Sequence, residues 1–418
     1  METAIVIFVV AYVMIALGRI PHMLIAVLGA MAMVFLGVIP GHEALEHVNL
    51  EVIFLLAGMM SLANIFAQTG AFDWAAIRAA QLARGDGFLT MCLLTALTAV
   101  SSAFLDNVTI VVLAVPITIS ICRALDINPV PFFLAQVFAS NIGGVATVVA
   151  DPPNIIIAAE AEIGFVDFMV NAAPVSLISM VVLFGAMYIW FRNQVTTTAD
   201  NRAAIMRRDA ASAITDKSLL IKSSVVLGFT IVGFLTHELL HVGPAYVAVT
   251  AAAILIMIAR VDPDEVLKQV EWTTLVFFAG LFILVGGLEY TGVTAEIREW
   301  LVDVSGGSDR NLAFLLIWFG GASSAIIDNV PFTATMVEVV KGFSDEGSGI
   351  SPLWWALAMG ADLGGNATIV GASANVIVVN LARAGGYPIS FMQFFRYGAV
   401  ISVLTLIVST AYVWLRYF

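Results

Sequence analysis

Ser-Ala-Phe-Leu-Asp-Asn-Val-Thr at 102–109 and Ser-Ala-Ile-Ile-Asp-Asn-Val-Pro at 324–331 decide how this chain folds. Each phrase puts a carboxylate and an amide in the middle of an otherwise apolar stretch, 88–122 in the first case and 311–341 in the second. Broken, polar backbone at membrane depth is tolerated only where protein or a water-filled cavity covers it. Both stretches therefore read as re-entrant hairpins whose Asp-Asn tips meet at a cavity.

Outward from the tips, the two phrases are parts of one repeat. Asp106-Asn107 returns as Asp328-Asn329, an offset of 222 residues. Ala57-Gly58 returns as Ala279-Gly280, Gln68-Thr69-Gly70 as Tyr290-Thr291-Gly292, and Phe168-Met169 as Phe391-Met392. Asn141-Ile142-Gly143-Gly144-Val145-Ala146-Thr147 faces Asp362-Leu363-Gly364-Gly365-Asn366-Ala367-Thr368, and Asp151-Pro152-Pro153-Asn154 faces Ala372-Ser373-Ala374-Asn375. Six blocks in one order define two homologous halves, 1–195 and 217–418, joined by a polar linker at 196–216. The first half holds hairpin 88–122 and a broken helix at 130–157, and the second holds hairpin 311–341 and a broken helix at 352–379.

The chain is 61% hydrophobic and 11% charged, where about 25% charge is usual for a soluble domain. Ten segments approach the roughly 20 apolar residues that a helix needs to cross hydrocarbon. Five crossings per half make the halves inverted relative to one another, the usual architecture of secondary transporters. The fold expected is an all-α polytopic membrane protein of two inverted repeats, each of five transmembrane helices with a re-entrant hairpin and a broken helix. If the linker is cytoplasmic, 14 of the 18 basic residues fall on its side, and only Arg298, Arg310, Lys341 and Arg416 on the other. The positive-inside rule then places both termini outside, and the membrane expected is a plasma membrane. A net charge of −12 excludes nucleic acid as a partner. Two cysteines, Cys92 and Cys122, make neither a disulfide framework nor a Cys-rich metal site, and no cofactor motif is present.

Ionisable residues at membrane depth mark a pathway or a coupling site by default. Asp106, Asp151, Asp328 and Asp362 are in that position, all within the repeated motifs, and are the candidate proton carriers. Asp106 and Asp328 can equally serve to cap the second hairpin arm. The glycine pairs Gly143-Gly144 and Gly364-Gly365 free backbone groups from the helical ladder and let a ligand approach closely. With them, Asn107, Asn141, Thr147, Asn154, Asn329, Asn366, Thr368 and Asn375 form the candidate solute-binding set. The halves differ at three of these positions: Asn141 faces Asp362, Val145 faces Asn366, and Asp151 faces Ala372.

These motifs resemble the ArsB/NhaD branch of the ion transporter superfamily. The resemblance is carried by the two Asp-Asn phrases, Ser-Asn-Ile-Gly-Gly at 140–144, Asp-Pro-Pro-Asn-Ile-Ile-Ile at 151–157, Leu-Gly-Gly-Asn-Ala-Thr at 363–368 and Gly-Ala-Ser-Ala-Asn-Val at 371–376. That branch includes arsenical pump membrane proteins, sodium/proton antiporters and the melanosomal P protein. The resemblance implies a non-enzymatic, proton-coupled transporter of the bacterial inner membrane, with arsenite or antimonite as the leading solute. Sodium/proton antiport is the alternative, followed by anion or dicarboxylate transport. It also implies an arsenical ATPase subunit and a second copy of the chain as candidate partners, beside the lipid bilayer. A three-thiolate arsenic site needs three cysteines, so metalloid would cross as the neutral trihydroxide. An intramembrane aspartyl protease also needs two buried Asp residues, but the whole-chain repeat and the lack of a Gly-x-Gly-Asp phrase argue against it.

Overall fold

The computed structural model of the protein describes residues 1–343 and 352–418, and every regular element among them is helical. The first half runs Glu2–Leu17, His22–Phe35, Gly41–Glu46, Leu50–Ala67, Ala71–Leu82, Gly87–Ser102, Asn107–Leu125, Val130–Gly144, Pro152–Glu160 and Phe165–Phe191. The second half repeats that order as Lys217–Leu240, Pro244–Ala259, Pro263–Gln269, Trp272–Tyr290, Val293–Ser305, Asp309–Ile326, Asn329–Lys341, Pro352–Gly364, Ser373–Ala384 and Phe391–Tyr417.

Contacts between the halves are reciprocal. His22–Phe35 packs on Trp272–Tyr290, as Pro244–Ala259 packs on Leu50–Ala67. Pro152–Glu160 packs on Asn329–Lys341, as Ser373–Ala384 packs on Asn107–Leu125. The repeated Ala-Gly block explains the first pair of crossings. A Cβ on Gly58 would sit 2.8 Å from the backbone of Ala248, and one on Gly280 would sit 2.8 Å from that of Ala26. Without a hydrophobic force between helices in lipid, such close backbone approach is what holds them together.

Chain path fixes the inversion. The linker lies at the mouth of the first hairpin, where Asn201 donates to the Leu125 carbonyl at 3.0 Å and Arg202 pairs with Asp86 at 3.2 Å. The preceding helix, Phe165–Phe191, has 27 residues, and at 1.5 Å per residue it is about 40 Å long. Its far end follows Glu160, which pairs with Lys341 at the mouth of the second hairpin at 3.0 Å. The two hairpins therefore open to opposite faces, here called the linker face and the far face. Tyr417 donates to Asn171 at 2.6 Å, and the Met1 side chain lies beside Gly292, so both termini reach the far face.

Among the described residues, six helices are long and apolar enough to cross a membrane unaided, including Phe165–Phe191, Lys217–Leu240 and Phe391–Tyr417. Glu2–Leu17, His22–Phe35 and Pro244–Ala259 are shorter apolar helices of 16, 14 and 16 residues. Val181, Ile189, Phe229 and Leu239 point outward and are largely exposed, as a lipid-facing surface requires. The first hairpin extends to Leu125, beyond its expected limit. Two helices that the hydropathy pattern does not mark, Ala71–Leu82 and Val293–Ser305, follow Gly70 and Gly292, whose φ values are 73° and 80°. That left-handed conformation is the reason glycine closes both repeated Thr-Gly blocks. These helices carry Asp73 and Arg78 in one half and Glu296, Arg298 and Glu299 in the other, which suits the membrane surface.

Gly58→Ala and Gly280→Ala are expected to destabilise the protein by about 1–3 kcal/mol each, through overpacking against backbone that cannot retreat. Gly185, with nothing within 4 Å of its would-be Cβ, is the control. Thermal unfolding in detergent checks this; unchanged midpoints for Gly58→Ala and Gly280→Ala would show that the crossings are not tight.

Candidate functional site

Each broken helix loses its ladder at the glycine pair. The first stops at Gly144 and resumes at Pro152; the second stops at Gly364, makes one 3₁₀ turn over Gly365–Ala367 and resumes at Ser373. Side chains satisfy the backbone set free, in the same pattern twice. Asn154 donates to the carbonyls of Gly144 and Thr147 at 2.9 and 3.2 Å, and Asn375 to those of Gly365 and Thr368, both at 2.8 Å. The Thr147 hydroxyl donates to the Ala103 carbonyl, and the Thr368 hydroxyl to the Ala325 carbonyl at 2.6 Å, tying each break to the end of its own hairpin's first arm. Ser102 donates to the Ser140 carbonyl at 2.9 Å and Ser324 to the Ala361 carbonyl at 2.6 Å. Gly143 and Gly364 lie where any Cβ would collide with the backbone of Ala99 or Gly321 in the adjacent hairpin arm.

These braces carry both Asp-Asn tips to one cavity of about 690 Å³. It opens on the linker face, between the Ala16–Met23 segment and the start of the helix Trp272–Tyr290. Six residues of the sequence-derived set line it: Asp106, Asn107, Asn141, Asp151, Asp328 and Asn329. Asp362, Gly143, Gly144, Thr147, Asn154, Gly364, Gly365, Asn366, Thr368 and Asn375 lie behind its wall. Most of that second group hold the breaks in place. Ser373, Glu271 and His22 line the cavity without having been expected there. No Lys or Arg is among the described residues of its lining.

The helix starts explain where the carboxylates sit. Asp106 accepts the Thr109 N–H at 3.0 Å and Asp328 accepts the Val330 N–H at 3.2 Å, so both do cap the second arm of their hairpin while facing the cavity. Asp151 stands at the start of Pro152–Glu160 and receives the Asn107 amide at 2.6 Å; the Asn107 side-chain oxygen rests against the Ser102 hydroxyl. Three helix N-termini thus meet the cavity with an Asp at each. The fourth, at Ser373–Ala384, has Ala372 in the corresponding place, and Ser373 donates to Asp328 at 2.9 Å.

At the junction of the halves the repeat becomes unequal. Asn141 donates to the side-chain oxygens of Asn366 and Asn375, both at 3.0 Å. Its counterpart Asp362 is 1% exposed, and neither carboxylate oxygen has a hydrogen-bond partner of ordinary geometry, although Asn154 and Asn329 are its polar neighbours. Asp151 lies within electrostatic reach of Asp362, Asp106 and Asp328. Asp106, Asp151 and Asp328 line the cavity together, and Asp362 lies behind its wall. The arrangement can take up and release protons, and can bind a cation through oxygen.

The family described as "Citrate transporter" matches residues 12–360. An uncharacterized transporter of Mycobacterium tuberculosis is 44% identical over 423 residues, covering 99% of this chain and 98% of that protein. The 46 kDa membrane protein of Mycobacterium leprae is 42% identical over 422 residues, with the same coverage of each. The P protein of Homo sapiens is 32% identical over 486 residues, 96% of this chain and 58% of that longer protein. Among solved structures, the YdaH transporter of Alcanivorax borkumensis, described as having an unusual topology, superposes with a TM-score of 0.61. It is 13% identical and the match covers 93% of this chain and 89% of that one, which speaks for the fold.

Asn154→Ala and Asn375→Ala each strip partners from two buried carbonyls, and each is expected to cost about 1–3 kcal/mol. Thermal unfolding in detergent measures it, and two silent substitutions would mean that the breaks are held by something else.

Proposed function

The chain belongs to the citrate transporter family, and from that premise we propose that this multi-pass membrane transporter is a proton-coupled secondary transporter for a small solute without net negative charge. The observation that carries the reading is the cavity wall: Asp106, Asp151 and Asp328 with no described Lys or Arg to offset them. A proton on one of these carboxylates and a solute beside it compete for the same negative charge. That competition is the physical basis of exchange, because loading either one weakens the other.

Sodium/proton antiport is the reading the geometry supports best. A hard cation takes oxygen ligands, which the carboxylates and Asn329 supply. Efflux of arsenite or antimonite as the neutral trihydroxide is the next, and it needs free hydrogen-bonding groups. Here the amides of Asn107 and Asn141 already donate to Asp151, Asn366 and Asn375, and the Ser373 hydroxyl to Asp328, which leaves Asn329 as the principal handle. The motifs at 102–109, 151–157 and 371–376 support a place in the family beside the arsenical-pump and sodium/proton-antiporter branch. One observation favours an anion such as citrate: the N-terminus of Ser373–Ala384 lacks the Asp that fills the other three. A carboxylate could rest there, but its remaining charge would meet Asp106, Asp151 and Asp328.

The excess of basic residues on the linker face supports a cytoplasmic linker, which makes the open cavity an inward-facing one. Purified protein in proteoliposomes, with internal pH followed by a dye, tests the function. Sodium is expected to evoke proton flux, and Asp106→Asn and Asp328→Asn to abolish it while the protein stays monodisperse. Wild-type flux in either variant removes that residue from the coupling. Flux with arsenite, antimonite or citrate but not sodium would reassign the solute.

A further inference from the structure

We infer that a second cavity, of about 540 Å³ on the far face, is the other port of the translocation pathway, shut at its inner end in this structure. The inference rests on the transport reading above but on none of its solutes. The two cavities are repeat mates. Leu55, Val149 and Pro244 line the far cavity; Phe277, Val370 and His22, at offsets of 222, 221 and 222, line the open one. One element of architecture has thus been built twice, once toward each face.

The two copies differ in depth. The open cavity reaches both Asp-Asn tips, whereas the far cavity ends on Val148 and Val149. Val148 and Val149 are each only 4% exposed, while their mates Ile369 and Val370 are half-buried. The segment 148–151 is then the barrier, since Val148 and Val149 belong to the far cavity and Asp151 to the open one.

A clasp on the far face accompanies the closure. The Glu160 carboxylate accepts from Asn49, which caps Leu50–Ala67, at 3.1 Å, and from Lys341, at the mouth of the second hairpin, at 3.0 Å. Three elements are joined at one side chain, and two of them, Leu50–Ala67 and Pro152–Glu160, line the far port. The repeat mates on the linker face are Leu381 for Glu160 and Ile119 for Lys341, neither able to form an ion pair. The face with the clasp is shut and the face without it is open. Glu51, Glu162, Asp167 and Glu238 make the rim of the far port acidic, which suits a cation or proton entering there.

The test is thiol labelling of the full-length transporter in sealed proteoliposomes, with Cys92 and Cys122 replaced and one cysteine added, at Val149→Cys or Val370→Cys. A membrane-impermeant maleimide is applied to each face in turn. The cysteine at 370 is expected to react quickly from the linker face, and the cysteine at 149 at least tenfold more slowly from the far face. Glu160→Gln and Lys341→Ala are each expected to speed labelling at 149, by up to about fivefold if the half-exposed ion pair is worth about 1 kcal/mol. Lys341→Arg, which keeps the charge, is expected to leave it slow. Labelling at 149 that is fast in the unmodified clasp, or that comes only from the linker face, overturns the closed far port. Labelling unchanged by both clasp substitutions overturns the clasp. No solute is needed for these readings, so a failed proton-flux assay beside the expected labelling refutes the proposed coupling and leaves the port standing.

Discussion

Backbone amides and carbonyls freed from a helix in the middle of a membrane must find partners within the protein. That requirement governs this structure. Asn154 and Asn375 supply partners to the carbonyls at each break, and Thr147 and Thr368 fasten each break to the hairpin beside it. With those bonds made, the carbonyls of Gly144, Thr147, Gly365 and Thr368 have partners while the starts of four helices face one cavity. The same bonds keep the carboxylates at a fixed depth, so that binding does not have to order them.

Symmetry serves the frame and asymmetry serves the chemistry. The braces, the tight glycine crossings and the capped Asp-Asn tips occur in pairs. The centre does not: Asp151 answers Ala372, and Asp362 answers Asn141. Two extra carboxylates come from different halves and approach the same region. An inverted frame gives two equivalent ways of facing the membrane, and under the proposed function the unequal centre would give one solute and one coupling ion different places to bind.

Much of this was legible in the sequence. The offset of 222 residues gives the two halves, and a polar pair inside each apolar stretch gives the hairpins and their tips. Which polar residues face the cavity was not legible, because Asn107 and Asn154 look alike in sequence and differ only in whether a neighbouring carbonyl or open space lies before them. His22, Glu271 and Ser373 carry no distinctive sequence signal for a related reason. The first two stand at helix ends, where polar residues are ordinary, and the third is a serine in a motif dominated by its asparagine. The surface helices after Gly70 and Gly292 have too few apolar residues to register as spans. The Glu160–Lys341 pair joins residues 181 positions apart, and no local pattern announces it.

The central claim is that protons and the solute compete at the carboxylates of the tips. Proton release from purified, weakly buffered protein on addition of sodium measures that competition directly, without a membrane or a gradient. Release is expected from the wild-type protein and is expected to vanish when Asp106 and Asp328 are both replaced by Asn. Sodium binding with no proton released, or equal release from the doubly substituted protein, would contradict it.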